Sequence, residues 1–512
     1  MKKQSFLAGA FILTITGFIN RFLGFLLRML IVRQIGDEGL GLFQMVYPLY
    51  ITALLLATAG FPVAISKLIP ERLAENNIPG VLHYLKVTII TLTLTGITLA
   101  LTLLFAARFL STTILNDPRS YYPLLGLLPA LIICSLASAF RGFFQGHRTM
   151  NPTALSRLTE QICRFLATLV IIHLISSLGI HFQAAGIALG ITVGETAGLI
   201  ILLYMFLHRY GPGLENKIKQ QGNSFLQDSK QIAFLALPIT AGRIVNSLMQ
   251  TTEAVLIPRQ LELAGYAMEE ATSLYGQLSG MVLQIISLPS VITFALATSL
   301  IPSISEAHTS GNQKKIKNNF SDILRIATIL GIGGAVIFFS RGQEICNLLF
   351  NHPQAGRLLS GLALSVPFIY FLQLSSGMLN GLGRPRLSVR NLLLGSLLKL
   401  GIIYFFIPHP DFGIFGALLG ITAGSMLAAF LNFISTGKII GFKFNINKVI
   451  FRPLIAGTVV YLLNPLFSRI NHLAISKKLH TPLILLSLVL IYFLSLLVTG
   501  AITRKDLQRF KR

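Results

Sequence analysis

The recurrence of apolar runs about 20 residues long, separated by short polar or Gly/Pro segments, most constrains this chain. A run of this length crosses the hydrocarbon core of a bilayer as one helix. Of the 512 residues 53% are hydrophobic and only 12% are charged, and the mean hydropathy is +0.72. Soluble domains carry about 25% charged residues. We therefore predict an integral membrane protein and exclude a soluble one.

The runs predict an all-α integral membrane protein with about 14 transmembrane helices. Backbone polar groups find no partners in lipid, and the continuous Leu, Ile and Phe runs lack the alternation of a membrane β-barrel. The predicted spans are 5–34, 38–68, 81–110, 122–147, 153–179, 184–209, 230–260, 272–307, 318–340, 356–381, 387–407, 413–436, 448–468 and 480–501.

Basic residues outnumber acidic ones by 42 to 18, a net charge of +24. These basic residues lie between apolar runs and do not cluster on one face of a hydrophilic domain. We therefore exclude a nucleic-acid partner. Nearly all basic loops fall on one side of the predicted membrane, and the positive-inside rule makes that side cytoplasmic. We therefore predict a multi-pass protein of the cytoplasmic membrane, in contact with membrane lipids and with both termini inside.

A weak internal repeat divides the chain. The segment 142–146 (GFFQG), followed by Pro152, resembles the segment 377–381 (GMLNG), followed by Pro385. Pro62 before Ile-Ser-Lys similarly matches Pro302 before Ile-Ser-Glu, and the offset is near 235 residues. The repeat predicts two pseudo-symmetric lobes of six helices each. Many transporters have this arrangement, with the substrate site midway between the lobes. The predicted domains are an N-lobe (1–225), a C-lobe (226–440), and a C-terminal helix pair with a basic cytoplasmic tail (441–512).

Polar and ionisable side chains inside predicted spans are the functional candidates, because they are costly in hydrocarbon. Those of the first and seventh spans recur on one helix face, and the eighth span adds an amide. The candidates for a central substrate-binding cavity are Asn20, Arg21, Arg28, Arg243, Asn246, Gln250 and Gln284. The candidates for coupling or charge pairing are Glu253, Arg157, Glu160 and Arg164.

The first and seventh spans begin the two repeat units, so Arg21 and Arg243 are expected to face one another across the pseudo-symmetry axis. A guanidinium is charged at any physiological pH and binds phosphate bidentately. The pair therefore points to an anionic, phosphorylated substrate.

Each candidate also has a structural interpretation. Arg28 lies near the outer end of its span, where its side chain could snorkel to the headgroups. Arg157 and Arg164 could be helix-end anchors or intramembrane ion pairs, and Glu253 could neutralise a nearby arginine. The Gln and Asn stripes could hold helices together.

Sequence motifs for catalysis and cofactor binding are absent. The chain has no phosphate-binding loop, no H-E-x-x-H and no nucleophile elbow, and its three cysteines and ten histidines show no metal-ligand spacing. We therefore expect no enzyme activity, no metal and no cofactor. A secondary transporter or facilitator remains, with possible coupling to membrane potential, H+ or Na+.

Several motifs resemble the polysaccharide-transport branch of the multidrug/oligosaccharidyl-lipid/polysaccharide (MOP) flippase superfamily, and its sporulation members in particular. They are 20–25 (NRFLGF), 32–36 (VRQIG), 39–44 (GLGLFQ), 60–67 (GFPVAISK), 141–146 (RGFFQG) and 297–302 (ATSLIP). The resemblance implies a V-shaped fourteen-helix transporter that flips undecaprenyl-linked oligosaccharide across the cytoplasmic membrane. For the sporulation branch it implies a part in spore-cortex peptidoglycan synthesis, with cell-wall synthesis enzymes as candidate partners.

The match to the lipid II flippases of the same superfamily is partial. Arg21 and Gly24 match their first-span arginine-glycine motif. Leu27 stands where those flippases have a second first-span arginine, with Arg28 beside it, and Gln284 replaces an arginine five residues before Pro289.

Two other functions remain open from the sequence. A cation-coupled multidrug exporter of the same fold would need an acidic central cavity, for which Glu253 and Glu195 give thin support. A membrane scaffold in spore-envelope assembly would transport nothing, and mutations of its cavity would be silent.

Overall fold

A computed structural model describes residues 6–210, 225–441, 447–469 and 477–502. All regular elements in these ranges are helices, as the apolar runs predict. Several basic segments used for the predicted orientation lie outside the described residues: Lys2 and Lys3, most of the stretch between Arg209 and Lys230, and the tail from Arg504.

Most of the helices in the described ranges are long, and three are short. The first eight are α1 (Phe6–Thr58), α2 (Phe61–Ala74), α3 (Ile78–Phe109), α4 (Tyr121–Gly146), α5 (Asn151–Leu174), α6 (Ile180–Tyr210), α7 (Phe225–Leu263) and α8 (Met268–Tyr275). The rest are α9 (Leu283–Ser287), α10 (Ser290–Thr309), α11 (Gln313–Phe350), α12 (Ala355–Leu362), α13 (Val366–Gly381), α14 (Pro385–Phe406), α15 (Ile414–Ile440), α16 (Arg452–Arg469) and α17 (Lys477–Val498).

Eleven helical segments of the described chain are long and apolar enough to cross a membrane, or 12 if the bent pair in α7 is one span. Helix α1 has 53 residues, about 80 Å at 1.5 Å per residue, against a hydrocarbon core of about 30 Å. It holds most of the first two predicted spans and kinks between them at Gly36, while the second span continues past Thr58 into α2. Helix α5 is not among the 11 spans, and it carries Arg157, Glu160 and Arg164. The count of fourteen stays a prediction.

The chain forms two compact units. The first comprises Met1–Arg259 with Ala267–Gly276, and the second comprises Gln260–Tyr266 with Gln277–Arg512. Most of α7 therefore groups with the first unit. The lobe boundaries predicted from the repeat stay predictions.

The core of the first unit is built where α2, α3, α4 and α6 pack together, with Phe143 and Phe144 fully buried. Two glycines of α4 allow the close approach of α2. A β-carbon at Gly142 would stand 2.6 Å from the carbonyl oxygen of Pro62, and one at Gly146 would stand 2.8 Å from Ile69.

The second unit repeats this packing between α13 and α10. A β-carbon at Gly377 would stand 2.9 Å from the carbonyl oxygen of Ala297, and one at Gly381 would stand 3.0 Å from Ile304. Each of these four residues lies 235 positions after its counterpart in the first unit.

The structure confirms the offset that the glycine motifs predict and corrects the second match. Pro62 corresponds to Ala297 and not to Pro302, so the proline match was displaced by more than one helical turn. The similarity between Pro-x-x-Ile-Ser at Pro62 and Pro-x-Ile-Ser at Pro302 is too short to fix the register of the repeat, which depends on how the helices pack.

Helix α8 docks on the second half of α1 within the first unit. Gly41 lies against the backbone of Thr272, and Ser273 donates to Asp37 at 2.5 Å. Arg119, just before α4, forms ion pairs with Asp117, Glu38 and Glu269 beside this contact.

The last two helices pack on α11 in the second unit. Arg325 donates to the carbonyl oxygen of Ala501 at 2.7 Å, and Arg452 donates to that of Gly500 at 2.8 Å. Both arginines thus satisfy carbonyl groups just beyond the C-terminal end of α17, where cations are favoured. Tyr492 adds a hydrogen bond to the carbonyl oxygen of Ile329 at 2.8 Å.

Candidate functional site

A polar cavity of about 350 Å³ lies within the first unit, among α1, α4, α5 and α6. This volume is at the lower end of the range for small-molecule sites. Its wall consists mainly of arginines, glutamates, amides and tyrosines. The lining residues are Asn20, Arg21, Tyr47, Tyr50, Ile51, Leu54, Arg141, Arg157, Glu160, Gln161, Arg164, Ile191 and Glu195.

A seam between α1 and α5 forms one side of the cavity. The Nδ2 atom of Asn20 donates to the carbonyl oxygen of Arg157 at 3.2 Å. Gly24, one turn along α1, leaves room for Gln161, whose Nε2 would be 3.6 Å from a β-carbon at that position. Small residues let membrane helices approach closely, and amide groups join them. The seam therefore brings Arg21 and Arg157 into one wall.

Another part of the wall is a closed ring of four ion pairs, which we call the ionic quartet: Arg141 of α4, Glu160 and Arg164 of α5, and Glu195 of α6. Arg141 contacts Glu160 at 2.9 Å and Glu195 at 3.2 Å. Arg164 contacts the same two carboxylates at 2.5 and 3.3 Å. Glu195 is the most buried member, with 8% of its side chain exposed. Each charged group contacts two groups of opposite charge, and this attraction offsets the free-energy cost of removing it from water.

The cavity is cationic in sum. Four arginines and two glutamates line it, which leaves an excess of two positive charges. In a low-dielectric protein interior such charges act strongly on an ion that enters.

Two tyrosines of α1 complete the lining on either side of Pro48. The ring centroids of Tyr47 and Tyr50 are 6.1 Å apart, and Tyr50 is buried. Aromatic faces beside amides and guanidiniums can bind both apolar and hydrogen-bonding parts of a ligand.

The structure brings together five of the residues that the sequence singles out. Asn20, Arg21, Arg157, Glu160 and Arg164 all line this cavity.

The remaining candidates do not line it. They are Arg28, Arg243, Asn246, Gln250 and Glu253 in the first unit, and Gln284 in the second. Their assignment to a substrate site stays a prediction.

The packing of α7 accounts for the position of Arg243. Helix α7 turns Ser247 and Thr251 toward α1, where they form hydrogen bonds with Thr52 at 2.8 and 2.9 Å. Arg243 and Gln250 are exposed on another part of the same helix. Helix α7 thus contacts α1 through Ser247 and Thr251, while two of the predicted site residues, Arg243 and Gln250, are exposed.

Several lining residues were absent from the predicted site: Arg141, Glu195, Tyr47, Tyr50 and Gln161. Arg141 and Glu195 carried a usable signal, since both are ionisable and lie within predicted spans. The tyrosines carried none, because aromatic residues are common in membrane helices.

Comparisons with known proteins agree with this architecture. Residues 6–308 match the family of polysaccharide biosynthesis proteins, and residues 279–405 match the MatE family. The chain is 32% identical to stage V sporulation protein B of Bacillus subtilis (strain 168) over 454 residues, which are 88% of this chain and 86% of that protein.

Two solved structures share the fold. A structure of the lipid II flippase MurJ in an inward closed conformation has a TM-score of 0.67 at 13% identity, covering 94% of this chain and 97% of that one. An inward-facing multidrug resistance MATE family transporter of the MOP superfamily also has a TM-score of 0.67, at 17% identity, covering 82% and 94%. The chain therefore belongs to the polysaccharide biosynthesis protein family, is similar to stage V sporulation protein B, and shares its fold with a transporter of the MOP superfamily.

Proposed function

We propose that this protein is a flippase that moves an undecaprenyl-(pyro)phosphate-linked oligosaccharide or peptidoglycan precursor across the cytoplasmic membrane. The observation that carries the proposal is the cationic excess of the cavity in the first unit, where four arginines face two glutamates. A phosphorylated head group supplies the negative charge that this wall lacks.

Alternating access gives a mechanism for such a substrate. The head group enters the polar cavity while the polyprenyl tail stays in lipid. The charged head group is thus kept out of the hydrocarbon, and the tail is kept out of water. No sequence motif for ATP hydrolysis is present, so the driving force comes from the substrate gradient, the membrane potential, or coupled H+ or Na+. One charge crossing 100 mV is worth about 2.3 kcal/mol.

The names of the similar proteins support a role in envelope synthesis. One is a stage V sporulation protein and another is a lipid II flippase. We therefore propose that the transported glycan serves spore cortex or cell-wall polysaccharide synthesis, in the cytoplasmic membrane with both termini inside and with cell-wall synthesis enzymes as partners.

The charge of the cavity argues against a cation-coupled drug exporter. Such an exporter needs exposed carboxylates, whereas Glu160 and Glu195 each contact two guanidiniums. A scaffold without transport would not require a cavity lined by four arginines and only two glutamates.

Translocation in proteoliposomes tests the proposal. A fluorescent undecaprenyl-pyrophosphate disaccharide is reconstituted with the full chain, and its exposure on each leaflet is followed with an impermeant quencher. We expect protein-dependent flipping that falls at least tenfold in Arg21→Ala and is unchanged in Arg108→Ala, which removes an exposed arginine of α3 outside the cavity.

The predicted role of Arg243 is tested in the same assay with Arg243→Ala. Absence of flipping under either polarity of membrane potential would contradict the flippase function. Drug-stimulated H+ or Na+ flux would instead support the exporter.

A further inference from the structure

We infer that Arg157 is an anion-binding residue of the cavity in the first unit, and that Glu160 and Glu195 hold Arg141 and Arg164 away from the ligand. This inference rests on the proposed function, because it takes the cavity to be the substrate site. It concerns which of the four lining arginines contacts the anion.

The first step is the pairing of the guanidiniums. Arg141 and Arg164 each contact both carboxylates of the ionic quartet at 2.5–3.3 Å. Their charge is therefore compensated within the protein. Among the described residues, Arg157 forms no ion pair with a carboxylate, although it lines the same cavity.

The second step is the accessibility of Arg157. The residue is exposed in the structure while its neighbours in the quartet have only 8–21% of their side chains exposed. Its backbone is fixed by the hydrogen bond from Asn20 to its carbonyl oxygen. The guanidinium thus extends from a fixed backbone position on α5, and its planar fork is preorganised for bidentate contact with an oxyanion.

The third step concerns charge. Because the quartet sums to zero, the positive excess of the cavity resides on Arg21 and Arg157. Removing one carboxylate of the quartet would release a second guanidinium toward the ligand and raise the charge of the wall by one. A merely structural quartet predicts the opposite, because breaking it could only weaken the site.

Binding of inorganic pyrophosphate to the purified full chain tests the inference without requiring transport. Affinity is measured by isothermal titration calorimetry in detergent, with thermal stabilisation by pyrophosphate as a second readout. We expect Arg157→Gln to weaken binding at least tenfold, since charge-assisted hydrogen bonds are lost. Arg157→Lys should recover part of the affinity, because it restores the charge without the bidentate geometry. The matched control Arg108→Gln should change the affinity less than twofold.

Neutralising one carboxylate of the ionic quartet gives a more discriminating test. Glu160→Gln is expected to tighten pyrophosphate binding about tenfold while lowering the melting temperature of the free protein. If Glu160→Gln does not yield folded protein, Glu195→Gln tests the same point, because Glu195 contacts the same two arginines. Weaker binding in a folded carboxylate variant, or unchanged binding in Arg157→Gln, would overturn the inference.

The two proposals fail separately. A chain that binds pyrophosphate through Arg157 but flips no lipid contradicts the proposed function and supports this inference. A chain that flips its lipid at the native rate with Arg157→Gln, and binds pyrophosphate equally well, contradicts this inference alone.

Discussion

Gly142 of α4 lies against the carbonyl oxygen of Pro62 in α2, so closely that a β-carbon would stand 2.6 Å from that oxygen. The same relationship joins Gly377 to Ala297 in the second unit, 235 residues later. Each unit therefore uses a glycine to bring one helix backbone against another, a common device in membrane proteins.

Gly142→Ala should lower stability by about 1–3 kcal/mol, because the added methyl group meets backbone that cannot move independently. Gly377→Ala should have a similar but smaller effect, since its contact is 2.9 Å. Thermal unfolding in detergent measures this with a thiol-reactive dye, because Cys134 and Cys346 are buried in the folded protein. The control is Gly401→Ala, which meets nothing within 4 Å. An equal effect of the control would refute the packing argument.

Gly36→Ala should destabilise the protein for a different reason. The space around Gly36 is open, but its φ of 71° and ψ of −170° lie in a region adopted almost only by glycine. We expect a cost of about 1–3 kcal/mol in the thermal assay. A neutral Gly36→Ala would show that α1 does not need this kink.

Arg141→Leu should be strongly destabilising, by about 3–5 kcal/mol, because it leaves carboxylates in the protein interior with one cation fewer. Replacing Arg141 and Glu195 together by Leu should recover a large part of this loss, since opposite charges leave as a pair. The comparison is Glu75→Ala, which removes the exposed partner of Arg72 and should cost less than about 1 kcal/mol. Additive losses in the double variant would exclude a coupled quartet.

Asn432→Leu should cost about 1–2 kcal/mol. Asn432 is fully buried in α15, accepts from Asn391 at 2.9 Å and donates to Ser375 at 3.0 Å, which joins three helices. Its loss leaves these polar groups without that partner. Ser425→Ala is the control, because its hydroxyl donates to the carbonyl oxygen of Thr422 within its own helix. Equal effects of the two substitutions would contradict a role in holding the helices together.

Much of the fold could be predicted from local sequence. Apolar runs the length of a bilayer predicted helices wherever the structure describes the chain, and the two glycine motifs predicted the repeat offset. The two spans within α1 were separable because Asp37 and Glu38 interrupt the apolar pattern at the Gly36 kink. The exact residue at which one span ends and the next begins inside α1 depends on the backbone conformation of Gly36. A hydropathy pattern does not carry that information.

The candidate site was only partly predictable. The cost of charge in lipid was enough to single out Arg21, Arg157, Glu160 and Arg164 from the sequence. It could not show that Arg141 and Glu195 join two of them in a closed ring, nor that Arg243 lies outside the cavity.

The sequence by itself determined that this protein is a bundle of membrane helices with an internal repeat and charges placed within its spans. Only the tertiary structure decided which charges neutralise one another and which face the cavity. The physical reason is that partners such as Arg141 and Glu195 come from different helices. Their meeting depends on how each helix is rotated about its axis, and a helix that is apolar on nearly every side carries little periodic signal of that rotation.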